Sequence, residues 1–176
     1  ILDIAGEHKI MAISDEIYDD LTFDGKQYAT ASLTNDVPII TFNGFSKVYL
    51  MPGWRIGYTM FKHNGELDEI QDAFMRIARS RLCANSVCQH ACIQALQGPQ
   101  DHIEKVNDKL RKRRDFSYKR LNEIEGISTA KPDGAFYIFP KIEAMGKGPW
   151  KNDKEFVLDL LQEAHVLVVN GSGFCS

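Results

Sequence analysis

Apolar residues come in short unbroken runs over the first sixty positions and at helical spacing after that. KIMAIS (9–14), VPIITFN (37–43) and RIGYTMF (55–61) have the length and β-branched content of buried strands. Polar stretches follow the first two and predict loops: DEIYDDLTFDGK, beginning at Asp15, and then GFSK. ELDEIQDAFMRIARSR (66–81) repeats its apolar residues at helical spacing. SVCQHACIQAL (86–96) predicts a second helix, closed by Gly98-Pro99, and DHIEKVNDKLRKRRDFSYKRLNEIEG (101–126) a long, charge-laced third one. Further on, ISTAKP, GAFYIFPKI and HVLVVNG read as strands, DKEFVLDLLQEA as a helix and MGKGPWKND as a loop.

The pattern predicts an α/β fold in two parts. Residues 1–105 supply strands and helices of a doubly wound sheet, and residues 106–176 make a small α+β domain joined to it through the long helix. ILDIAGEHKI opens the chain as the last turns of a helix closing at Gly6, without an N-cap or an initiating Met, and VLVVNGSGFCS stops on a strand and a turn. Both ends read as cut, so a piece of a longer chain is expected. The carboxyl-terminal part is expected to be the better-packed half, while the larger sheet lacks a strand partner at one edge.

Composition narrows the function classes only slightly. With 176 residues, 44% hydrophobic, 26% charged and a net charge of −3, the chain is an ordinary globular one with no basic field for nucleic acid. The run Lys109, Arg111, Lys112, Arg113 and Arg114 is interspersed with acidic residues and reads as a solvated helix face. Three of the four cysteines, Cys83, Cys88 and Cys92, crowd together without the paired spacing of a zinc site, and Cys175 stands apart. Free thiols of a cytosolic protein and no bound metal are expected, His90 included. No apolar run reaches the roughly 20 residues needed to cross a bilayer.

Candidate chemistry gathers after the early strands, where open α/β sheets collect ligands. Lys47 follows VPIITFN, Arg55 stands eight residues further on, and Asp15 and Tyr18 follow KIMAIS. A lysine amine can form a Schiff base with a carbonyl compound. Arginine offers a planar fork to phosphate, aspartate can hold a pyridinium nitrogen protonated, and a tyrosine hydroxyl can bond a phenolate oxygen. Aldehyde, phosphate, ring nitrogen and phenolate together describe pyridoxal 5′-phosphate. Singly, each residue has a bland alternative: a cap or ion pair for Asp15, a rim aromatic for Tyr18, a salt bridge for Arg55, a solvated amine for Lys47.

GFSKVYLMPGWRIG (44–57) resembles the lysine-site signature of the class I pyridoxal-phosphate aminotransferases, and SDEIYDDL (14–21) resembles the cofactor-ring segment that precedes it. The likeness continues through RSRLCANSVCQHACIQAL, KPDGAFYIFPKI and HVLVVNGSGF. Within the family, the arrangement is most similar to archaeal and bacterial alanine aminotransferases.

The resemblance implies that residues 1–105 are the later part of a large cofactor-binding domain and 106–176 a truncated small domain. Lys47 would carry the cofactor, with Asp15 on the ring nitrogen, Tyr18 on the phenolic oxygen, Arg55 on the phosphate and the Ser46 hydroxyl close by. Where many members have a phosphate-binding serine, this chain has Gly44. Asn85 and Ser86 match a stretch that in the family approaches the neighbouring subunit's active site, and they equally suit a helix cap. Implied as well are a cytosolic homodimer and transfer of an amino group, from alanine, to 2-oxoglutarate. The substrate-carboxylate arginine is expected outside the chain, which is expected to be inactive by itself. An aspartate aminotransferase, a β-lyase of the same fold and an aminotransferase-like transcription regulator are the alternatives.

Overall fold

The computed structural model describes residues 1–146 and 148–174. They form two compact units, one of residues 1–108 with 133–135, the other of 109–132 with the chain from 136 on. Cys175 lies outside the described residues.

The first unit is built on a three-stranded sheet. After a short helix α1 (Leu2–Glu7), strand β1 (Ala12–Asp15) pairs in parallel with β2 (Ile39–Gly44), which pairs antiparallel with β3 (Gly57–Lys62). β2 is central, and consecutive residues on both of its faces are buried, which accounts for its near-continuous apolar run. Ile39, Ile40 and Thr41 are fully buried, whereas β1 alternates and leaves Ile13 62% exposed. Helix α2 (Asp68–Ser80) lays Phe74 on the sheet, its ring 6.1 Å from Phe42 and 5.4 Å edge-on to Phe61. Helix α3 (Ser86–Gln97) follows; its N-cap Asn85 accepts hydrogen bonds from the amides of Val87 and Cys88. That cap realises the structural reading of Asn85. Cys88 and Cys92 are buried free thiols on α3, and Cys83 is an exposed one.

Sequence and structure part company at three strands. RIGYTMF begins its ladder at Gly57, because Arg55 takes the left-handed conformation (φ 54°, ψ 46°) that no strand accommodates. GAFYIFPKI contributes only β5 (Lys141–Ile142), paired with β4 (Ile127–Ser128). Ala135 is left-handed (φ 55°), and Pro140 has no amide hydrogen to give a ladder. HVLVVNG is not a strand: apolarity makes a strand only beside a partner, none runs there among the described residues, and Leu167 is 76% exposed.

The expectation of a better-packed carboxyl-terminal half is also overturned. Among the described residues, every buried hydrophobic one lies in the first unit, from Leu21 through Ile39, Phe45 and Val48 to Cys92. In the second unit, the buried side chain of helix α4 (Asp101–Asn122) is Arg114, which donates to the Pro132 carbonyl at 2.9 Å and to Asp115 at 3.0 Å. Arg114 therefore leaves the basic face it appeared to belong to. Helix α5 (Asp153–Ala164) is capped by Asn152, whose side chain accepts from the Glu155 amide at 3.1 Å.

Candidate cofactor site at the end of the three-stranded sheet

Because β1 and β2 are parallel, both deliver their carboxyl ends to the same edge of the sheet, with Asp15 in register beside Phe42. β3 runs the other way. Its amino end, not its carboxyl end, therefore meets the end of β2, and Gly57 faces Gly44. Arg55 thus lies in the connection between β2 and β3, where the sequence had placed it at the start of the third strand.

The approach of the two glycines is close. A Cβ on Gly44 would come within 3.1 Å of both the Gly57 Cα and the Ile56 carbonyl oxygen, and one on Gly57 within 2.8 Å of the Asn43 carbonyl oxygen. A side chain at Gly44 would therefore press on the facing backbone.

Between the glycines lies the loop that carries Lys47. Phe45 and Val48 are buried on either side of it, and the loop closes on itself through Leu50 N–H to the Lys47 carbonyl (3.2 Å) and Met51 N–H to the Phe45 carbonyl (3.1 Å). Leu50 and Arg55 are both left-handed, at φ 54°. Such backbone costs about 1–3 kcal/mol per residue and persists where its surroundings dictate it. Lys47 is half-buried, its Nζ 5.6 Å from the centre of the Tyr18 ring, within range of a cation–π attraction.

Of the expected site residues, Tyr18 and Lys47 are therefore brought together. Asp15 is exposed at the same sheet edge and accepts from the Ile17 amide at 3.3 Å. Ser46, half-buried, precedes Lys47 in the anchored loop. The Arg55 guanidinium is exposed and donates to the Pro52 carbonyl at 2.7 Å, within its own loop.

Two neighbours escaped the sequence reading. Asn43, the polar end of an otherwise apolar run, donates from Nδ2 to Asp19 Oδ2 at 2.7 Å and so ties the end of β2 to the turn after β1. Glu16, adjacent to Asp15, is buried. A polar residue closing an apolar strand was the available signal for Asn43; nothing in the sequence separates Glu16 from its exposed acidic neighbours. Around them, burial and then the Asp19 carboxylate push Asp20 up. Tyr49 is raised by burial and then by Asp20 and Asp19, and Tyr58 by burial and then by Asp19. A separate concavity of about 610 Å³, lined by residues such as Leu2, Gly6, Leu33 and Val37, includes none of the expected site residues.

An amine over a phenol, with a carboxylate and a guanidinium at one sheet edge, is a donor set suited to an anionic aromatic aldehyde. The chain belongs to the aminotransferase class I and II family, whose pattern it matches over residues 1–175. Members of this family use pyridoxal phosphate. Among solved structures, an alanine aminotransferase from Pyrococcus furiosus is 58% identical with a TM-score of 0.95, covering 100% of this chain and 44% of that one. A curated alanine aminotransferase of Mycobacterium tuberculosis is 36% identical over 99% of this chain and 41% of its own length. An aspartate aminotransferase of Bacillus subtilis is 37% identical over 99% of this chain and 44% of its own. The chain thus spans less than half the length of the relatives it matches. Among the described residues, no helix is long and apolar enough to cross a membrane.

Proposed function

We propose that the complete protein containing this chain is a pyridoxal-phosphate-dependent aminotransferase that moves the amino group of alanine to 2-oxoglutarate. The observation that carries the reading is the Lys47 amine over the Tyr18 ring, on an anchored loop, in a chain of this family. The residues present fit the cofactor. Lys47 would bind its aldehyde carbon, Asp15 would face its ring nitrogen, Tyr18 its phenolic oxygen and Arg55 its phosphate, with the Ser46 hydroxyl close to the phosphate. The bound cofactor supplies an electron sink for negative charge at the amino acid's α-carbon.

The chain's own residues do the rest. Lys47 Nζ, once displaced by substrate, would take the α-proton and return it two atoms away, across the amino nitrogen. Asp15 keeps the ring nitrogen cationic through its charge. Tyr18 orients the ring and Arg55 anchors it, so that the proton travels between fixed positions. Alanine is favoured over aspartate as donor by the 58% identity to an alanine aminotransferase. Comparing the two amino acids in coupled assays distinguishes these substrates. The active protein is a homodimer of the cytosol, a reading that accords with the free thiols of Cys83, Cys88 and Cys92.

The test is borohydride reduction of the complete protein with pyridoxal phosphate, followed by peptide mass mapping. The pyridoxyl group is expected on Lys47. Its appearance on another lysine overturns the assignment.

A further inference from the structure

We propose that Glu16 is a positioning residue of this site: its buried carboxylate pins both chain neighbours of Asp15, so that Asp15 and Tyr18 are presented in a fixed pose. The inference rests on the aminotransferase reading above.

Glu16 is 6% exposed, next to an exposed Asp15. Its Oε1 accepts a hydrogen bond from Ser14 Oγ at 3.0 Å and another from the Thr30 amide at 2.7 Å, and the Ser14 and Thr30 hydroxyls lie 2.8 Å apart. Its backbone works to the same end. The Glu16 amide donates to the Phe42 carbonyl at 2.8 Å, carrying the β1–β2 pairing one residue past Asp15, and its carbonyl accepts from the Asp19 amide at 3.1 Å, which starts the turn bearing Tyr18.

Side chains alternate across a strand, so Ser14 and Glu16 share one face and Asp15 takes the other. Fastening Ser14 and Glu16 to Thr30 therefore fixes the side from which Asp15 projects. A one-residue slip would bury Asp15 and expose Glu16. Burial makes the arrangement costly to break, because an acceptor removed here leaves the Thr30 amide unpaired. Glutamine retains an Oε1 acceptor, whereas alanine has none.

The experiment uses the complete protein in four forms: wild type, Glu16→Ala, Glu16→Gln and Asp15→Ala. Hydrogen exchange at the Thr30 amide is followed without cofactor; with pyridoxal phosphate bound, its absorbance is titrated with pH and kcat and KM are measured. Glu16→Ala is expected to speed Thr30 exchange, to move the absorbance midpoint in the direction Asp15→Ala moves it, and to lower kcat by about 10²-fold with little change in KM. Glu16→Gln is expected to stay near wild type. An absorbance midpoint and kcat unchanged in Glu16→Ala, while Asp15→Ala shifts both, overturn the proposal; so does a Glu16→Gln variant as impaired as Glu16→Ala. Should Glu16→Ala not fold, Ser14→Ala decides: a smaller shift in the same direction supports the proposal and none overturns it. An absorbance unmoved by Asp15→Ala refutes the underlying site reading instead.

Discussion

Replacing Gly57 by alanine tests how tightly the sheet holds the two arms of the site. The added Cβ would stand 2.8 Å from the Asn43 carbonyl oxygen, closer than real side chains approach backbone. Neither partner is a flexible side chain, so the strands must part by several tenths of an ångström where Gly44 faces Gly57. Overpacking of this kind costs about 1–3 kcal/mol. Gly53 provides the control: a Cβ there meets nothing within 4 Å, and its alanine variant is expected within about 0.5 kcal/mol of wild type. Urea denaturation of the complete protein, with the slope compared between variants, measures the loss. Because the strain falls between the Lys47 loop and Arg55, pyridoxal phosphate affinity is expected to fall as well. A Gly57→Ala protein with wild-type midpoint and wild-type cofactor affinity refutes the argument from close approach.

Lys62 holds the segment after the short 3₁₀ turn Thr30–Ser32, its Nζ donating to the carbonyls of Ala31 (2.6 Å) and Thr34 and to Asn35 Oδ1 (3.2 Å). Lys62→Met is expected to cost about 2 kcal/mol, and because the acceptors are neutral, denaturation in added salt is expected to leave that difference standing. In the second unit, Asp153 accepts from the Ser172 amide at 2.7 Å and from its hydroxyl at 2.9 Å, and the amide bond most strongly lowers its pKa. A lowered folded value means the tether is complete above the ordinary aspartate range and is lost as pH falls through the folded value below it. The Ser172 amide resonance, followed through acid, is expected to move only there; movement near neutrality contradicts the assignment.

The parts of the fold legible in the sequence were those with a local cause. The apolar run VPIITFN, alone enough to imply a strand covered on both faces, is the central one, and Asn85 before SVCQHACIQAL is the cap its residue type suggests. HVLVVNG misled because its residues have β propensity and the missing term is a partner strand, which no local pattern encodes. At the site, the sequence suggested Asp15, Tyr18, Lys47 and Arg55 because their chemistry is unusual beside strands, and the structure sets Lys47 over the Tyr18 ring. The inward turns of Glu16 and Arg114 could not, since burial of a charge depends on acceptors and donors far away in sequence: Thr30 for one, Pro132 for the other.

The antiparallel direction of β3 bears on the order in which the site assembles. Lys47 and Arg55 sit in the single short connection 45–56 between two paired strands, so a hairpin-like closure brings them together with little loop entropy to overcome. Asp15 and Tyr18 arrive by a parallel pairing whose connection runs from 16 to 38, the slower kind of contact to make. In a refolding chain, pulse-labelled amides of 40–61 should accordingly gain protection before the amide of Glu16, and the half of the candidate site that carries Lys47 and Arg55 would exist before the half that carries Asp15 and Tyr18.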